Sequence, residues 1–258
     1  MLDQTRPACV SLRPLGWACR QLLFTLLAAM LLLSHRSLWA QSCPKAGDKG
    51  TYWSKQAVEV CWDKATDQLH LEAPSPAGKK LLYVNGPAHT ASFYLKSDHE
   101  GAPQELYAAF AGAEVLWSPD SKAVAITTCF GGNGPCSVDT IQVDDNEAQL
   151  DDSRRSPFEI VQDAFAIGHE GDVCHTEANV GALTWQDGSD KIVLIAEVPT
   201  AHCDGGGYFE AFVVSFSERK VISRFNMQET LHRWHSILGS GLRNDIALVR
   251  EDAKLRKK

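Results

Sequence analysis

The chain has 258 residues, 44% of them hydrophobic and 22% charged, which is enough apolar content to fill a core and too much for extensive disorder. Its 25 basic residues face 32 acidic ones, a net charge of −7. That balance opposes nucleic-acid binding, where cations meeting phosphates supply much of the affinity, and it disfavours an anionic membrane surface.

The first forty residues have the pattern of a secretory signal peptide. Arg6, Arg13 and Arg20 precede an apolar run from Leu22 to Leu33, and Ser34, His35 and Arg36 close it. The run is twelve residues long, whereas a membrane-spanning helix needs roughly 20. Cleavage after Ala40 is therefore expected, leaving residues 41–258 as a single secreted or periplasmic domain, and not an integral membrane protein. Cleavage would leave 21 basic and 31 acidic residues, a net charge of −10. Cys43 lies close behind the leader, but bulky Trp39 and polar Gln41 fit a lipobox poorly, so a lipid-anchored form through Cys43 is not expected.

Cys9 and Cys19 fall in the leader, and six cysteines remain: Cys43, Cys61, Cys129, Cys136, Cys174 and Cys203. An even set in an oxidising compartment implies disulfides. Sequence proximity favours Cys43 with Cys61, Cys129 with Cys136 and Cys174 with Cys203, among about 15 possible pairings.

Strand-like runs follow in chain order at Ala57 to Trp62, Lys80 to Val84, Ala91 to Leu95, Glu114 to Trp117, Ala123 to Thr128, Ile192 to Val198 and Tyr208 to Phe216. Between them, Ser156-Pro157-Phe158-Glu159 carries a helix start: a serine cap, proline at the first helical position and glutamate three residues after the cap. Phe158, Val161 and Phe165 share one face of that helix, and Gly168 can end it. A second helix is expected from Met227 to Leu238.

The segment beginning Ser75-Pro76-Ala77-Gly78-Lys79-Lys80 is echoed 43 residues later by Ser118-Pro119-Asp120-Ser121-Lys122-Ala123. A looser third copy starts at Trp185-Gln186-Asp187-Gly188, with one extra residue expected before its apolar strand, and Gly241 to Val249 suggests a fourth. Each copy is a strand, a tight polar turn and another strand. Such a unit cannot bury both sheet faces alone, so neighbouring units must stack.

Trp117-Ser118-Pro119-Asp120-Ser121-Lys122 before Ala123 to Thr127 resembles the blade motif of TolB-type β-propellers. The resemblance extends over about Leu71 to Phe225 and implies a mainly β fold of stacked antiparallel, propeller-like units. The mature length accommodates four or five irregular blades, with one or two short helices inserted. The interval from Trp117 to Trp185 is 68 residues and holds the capped helix, so the blades are unequal.

The glycine-rich stretch between Cys129 and Cys136 lacks the lysine and helix start of a phosphate cradle and reads as a crosslinked hairpin tip. His202-Cys203-Asp204 followed by three glycines occupies the matching loop after the third copy. Phe130, Asn133, His202, Asp204 and Tyr208 are thus candidate binding residues on one rim, where the resemblance implies ligands or partners bind. The expected function is a non-catalytic binding module for a protein or small extracellular ligand, with no cofactor. The alternative is an extracellular hydrolase with a metal or an assembled triad near His175, His202 and Asp204. The spacing of His169 and His175 suits a preformed zinc site poorly, and His232 with His235 would lie on or beside an apolar helix face.

Overall fold

The computed structural model describes residues 51–98, 102–129, 135–144, 148–150, 155–167, 169, 178–198 and 207–246. Contacts divide the chain into two units, Met1–Ser42 and Cys43–Lys258, and every described residue belongs to the second. No helix among the described residues is long and apolar enough to cross a membrane.

The second unit is mainly β. Its first sheet has the order β2 (Cys61–Asp63), β3 (Gln68–Pro74), β4 (Lys80–Pro87), β5 (Ser92–Ser97), β6 (Gln104–Ala108). The second runs β1 (Val58–Glu59), β7 (Glu114–Trp117), β8 (Ala123–Thr128), β9 (Ser137–Val143), β10 (Ala148–Leu150). The third runs β11 (Asn179–Gln186), β12 (Lys191–Glu197), β13 (Phe209–Ser215), β14 (Lys220–Phe225). All pairings in the three sheets are antiparallel.

The sheets stack face to face because each is apolar on a face that its neighbour covers. Leu69, Leu82 and Phe93 of the first sheet meet Val115, Ile126 and Ile141 of the second. On its other face, the second sheet presents Leu116, Ala125 and Val138 to Val180, Leu194 and Phe212 of the third. Alternate residues of a strand serve the two interfaces, as the period of two requires.

The expected repeat is real at atomic level. Trp117 Nε1 donates to the carbonyl of Ala73 in the sheet before it (2.9 Å), and Trp185 Nε1 donates to the carbonyl of Leu116 (3.0 Å). The two tryptophans hold equivalent positions, each tying its own sheet to its predecessor. Turns follow the same rule: Asp98, Val143 and Phe216 donate backbone N–H groups to Lys79, Lys122 and Asp190 respectively. Replacing Trp117 or Trp185 by phenylalanine removes one tie between sheets and should lower stability by about 1 kcal/mol each in urea denaturation. No loss in either variant would show that these bonds are incidental to the stacking.

Several expectations are corrected. Among the described residues there are three stacked sheets where four or five were expected, and no apolar cluster of these residues joins the first to the third. The free face of the first sheet is polar or half-buried and carries Glu72 beside the stacked pair Tyr83 and Tyr94, whose ring centroids are 5.4 Å apart. The third copy has no insertion: Pro74 pairs Leu81, Trp117 pairs Val124 and Trp185 pairs Ile192, the same span each time. Its turn differs in shape instead, with positive φ at both Asp187 and Gly188. Residues 240–246 are helical, so the suggested fourth copy does not form there. The expected strand from Ala57 to Trp62 is split, β1 joining the second sheet and β2 the first.

The helix at Ser156 is α1 (Pro157–Ala166), with both halves of its capping box made. Ile160, Val161 and Phe165 are buried between the second and third sheets, which accounts for the long interval between the tryptophans. Phe158 is only partly buried. The second helix is α2 (Met227–Trp234), capped by Asn226, and it stops short of Leu238. Leu238 instead bridges Ser54, and Ile237 accepts from the Lys55 N–H.

Candidate functional site

The turns β3–β4, β7–β8 and β11–β12 lie side by side at one end of the stack, since Ala77 N–H donates to Ser121 Oγ and Ser189 hydrogen-bonds Asp120. The β8–β9 and β12–β13 connections therefore leave the opposite end, in neighbouring sheets. Their last strand pairs are Thr128 with Ser137 and Glu197 with Phe209. Cys129 and Cys136 are joined by a disulfide at the neck of the first connection. Cys136 also donates its N–H to Asn179 Oδ1 (3.0 Å), and its carbonyl accepts from Val180 (2.9 Å), which ties this hairpin to the third sheet.

Tyr208 stands at the neck of the second connection, where its carbonyl accepts from Val198 (2.8 Å). Its hydroxyl donates to Glu210 Oε1 (2.6 Å), and Arg224 Nε donates to Glu210 Oε2 (2.5 Å). Glu210 is 5% exposed, and both of its carboxyl oxygens have a partner, as a buried polar group requires. Arg224 also donates to the carbonyls of Ala164 and Ile167. It thus supplies, from β14, the cation that α1 lacks in its own last turn. His169 follows that helix, with Nε2 3.6 Å from Glu210 Oε1 and its ring against Phe165 and Tyr208. Burial first, then the hydrogen bond to Glu210, push the Tyr208 hydroxyl well above its ordinary value. This cluster is a clamp that fixes the neck of the connection.

On the other face of the third sheet lies a second polar cluster. Glu197, 1% exposed, accepts from the Tyr52 hydroxyl at 3.0 and 2.8 Å, and Asp245 Oδ2 lies 2.5 Å from the same hydroxyl. Glu114 receives the backbone N–H groups of Tyr52, Trp53 and Ser54. Burial, opposed by those three bonds, pushes Glu114 up to about 7.

Of the residues expected to form a site, only Tyr208, Cys61, Cys129 and Cys136 are described. Phe130, Asn133, Cys43, Cys174, His175, His202, Cys203 and Asp204 lie outside the described residues. Cys61 is disulfide-bonded. His232 lies in α2 and His235 caps it. Among the described residues no group of three His, Cys, Asp or Glu side chains is placed to hold a metal ion. Sequence reasoning missed Tyr52, Glu114, Glu197, Glu210, Arg224 and Asp245. A signal was present for three of them, because Glu114, Glu197 and Glu210 interrupt or abut apolar strand runs, where a carboxyl needs a partner.

A cavity of about 540 Å³ lies at the other end of the stack, walled by Thr140, Gln142, Ser156, Asp190, Phe216 and Arg219 among others. Much of its polar lining is already engaged: Ser156 and Glu159 cap α1, and Asp190 accepts from Ser215 and Ser217.

No family model matches the sequence, and no curated protein matches it. The structure is similar to the crystal structure of TolB from Acinetobacter baumannii, with 14% identity, a TM-score of 0.35, and 72% of this chain and 43% of that one covered. It is also similar to a putative TolB from Agrobacterium tumefaciens, at 13% identity and a TM-score of 0.32, over 67% of this chain and 52% of that one. Hydrazine synthase from Kuenenia stuttgartiensis gives 14% identity and a TM-score of 0.38, over 66% and 51%. The chain thus spans about half the length of these solved structures, and scores this low do not establish a common overall fold.

Proposed function

We propose that this protein is an exported, non-catalytic binding module, released from a signal peptide as one domain, that docks a partner on the end of the stack bearing the β8–β9 and β12–β13 connections. One observation carries the reading. The necks of two neighbouring connections are held independently and close together, one by the Cys129–Cys136 disulfide and the bonds from Cys136 to β11, the other by Tyr208, Glu210, Arg224 and His169. A surface fixed before binding loses less entropy when it meets a partner. The acidic balance of the chain favours a protein or small extracellular ligand over nucleic acid.

Capture from the envelope fraction or culture fluid, with the purified protein as bait, tests the reading. Tyr208→Ala is expected to reduce capture about tenfold or more, the scale of an aromatic contact at a binding centre. Circular dichroism and Tm must show the variant folded. Capture unchanged by Tyr208→Ala and by the double change Cys129→Ser with Cys136→Ser would exclude this end of the stack as the docking surface.

A further inference from the structure

The outer face of the third sheet is covered by two segments far apart in the chain. Residues 51–54 and 238–242 lace together: Gly239 donates to Trp53 O (2.9 Å), Ser240 to Thr51 O (2.8 Å) and Leu242 to Tyr52 O (3.2 Å). Gly241 lies so close to the Tyr52 ring that an added Cβ would fall 1.9 Å from Cδ2. Beneath the lacing, Trp53, Leu238, Leu242 and Ile246 cover Leu183, Val193, Ile195 and Phe209. The Tyr52 hydroxyl ties this cover to the sheet, beside the Ser54 hydroxyl that donates to Leu183 O (2.7 Å), and it has one proton to give. Yet it faces both oxygens of Glu197 and Oδ2 of Asp245 within 3.0 Å. Glu197 and Asp245 are hydrogen-bonded to each other as well. Two carboxyl groups bond only when one of them keeps its proton.

We propose that Tyr52, Glu197 and Asp245 form a proton-retaining latch, which fastens residues 51–54 and 238–246 onto the third sheet and loosens when the shared proton is lost. The surroundings favour retention. Of residues 51–54 only Tyr52 titrates, and Lys55 after them gives its Nζ to Ser236 O; from the helical residues 240–246 come Asp245 and Arg243, whose Nε is occupied by Gly239 O. On β7, Glu114 grips the backbone of the same segment, with Glu59 as its charged neighbour. Glu210 on β13 serves the opposite face, and Arg233 of α2 lies over Phe225. Among the described residues no cation is ion-paired with Glu197, Asp245 or Glu114. Burial, reinforced by the charge of Asp245 and opposed by the Tyr52 bond, pushes Glu197 from its ordinary 4.5 up to about 8.

The direction follows from linkage. A carboxyl with a raised folded pKa binds its proton more tightly when folded, so its contribution is full below about 4.5 and is lost as pH rises through about 8. The Tm of the full chain should therefore fall by about 5 °C or more between pH 5.5 and 8.5. In Glu197→Gln, whose amide keeps the hydrogen bonds without titrating, the fall should be less than half as large. A fall in the variant of half the wild-type value or more overturns the latch. If the variant does not fold, a 13C-carboxyl titration of the wild type decides: a Glu197 midpoint above about 6.5 supports the latch, and one at or below that value overturns it.

Discussion

Trp53→Ala is expected to destabilise the protein by about 4 kcal/mol, the range for losing a large aromatic side chain from a closed core. Trp53 is 1% exposed and stands edge-on to Tyr52 with ring centroids 4.9 Å apart. Its ring lies directly on Gly181 of β11, where an added Cβ would fall 1.9 Å from Cδ2. Nothing larger than glycine fits there, so the indole fills the space that the missing side chain leaves. The Trp53 Nε1 has no hydrogen-bond partner among the described residues, which makes the loss one of packing. Trp53→Phe should accordingly cost about half as much, because it retains most of the apolar contact and removes an unpaired buried donor. Urea denaturation of the two variants checks the ordering. A loss below about 1 kcal/mol for Trp53→Ala would mean that the third sheet does not depend on this cover.

Glu114→Ala is expected to cost about 3 kcal/mol, through a different mechanism. Glu114 is 3% exposed and accepts from three successive backbone N–H groups, those of Tyr52, Trp53 and Ser54. Alanine leaves these donors buried and unanswered, at about 1 kcal/mol or more each. Glu114→Gln keeps one acceptor oxygen and should lose about 1 kcal/mol. The pH dependence carries its own sign. Burial raises Glu114 from 4.5 to about 7 despite the three donors, so its contribution is full below about 4.5 and declines as pH rises through about 7. Denaturation at pH 5 and pH 8 should show the wild type losing stability over that interval more steeply than Glu114→Gln. Equal slopes would assign the titration elsewhere.

Both predictions concern residues that sequence reasoning passed over, and the reason is physical. Tyr52, Trp53 and Glu114 matter because the chain brings residues 51–54 against β7, β11 and the helical residues 240–246. No local pattern records a meeting of segments nearly two hundred positions apart. By contrast, β7 and β8 were legible with their ends, since Glu114 to Trp117 and Ala123 to Thr128 are rich in β-branched and apolar residues and bounded by turn residues. Strand β3 went unread although it alternates in burial along its length, because Gln, Leu, His and Glu lack the β signature that Val and Ile give elsewhere.

The helices divide along the same line. The start of α1 was readable because its capping box is closed within four consecutive residues, Ser156 to Glu159. The end of α2 was not, because Ile237 and Leu238 leave the helical direction to pair with Lys55 and Ser54. Likewise the run from Ala57 to Trp62 has strand character throughout, but its division at Val60 is set by Ala113, which accepts from the Val60 N–H (2.7 Å). At the site, the disulfide-bonded neck was visible as two cysteines seven residues apart. The Glu210 clamp was not, since Arg224 and His169 reach it from elements on either side.

What the amino-acid order determined by itself was short-range: the strand runs, the repeated tryptophan-turn-strand unit, the helix cap and the close cysteine pair, each decided by dihedral preference and hydrogen bonds within a few residues. The tertiary structure decided how many units stack, which sheet each N-terminal strand joins, and which buried carboxyls share protons. Those outcomes depend on dielectric and contact between distant segments, and neither exists until the sheets have packed.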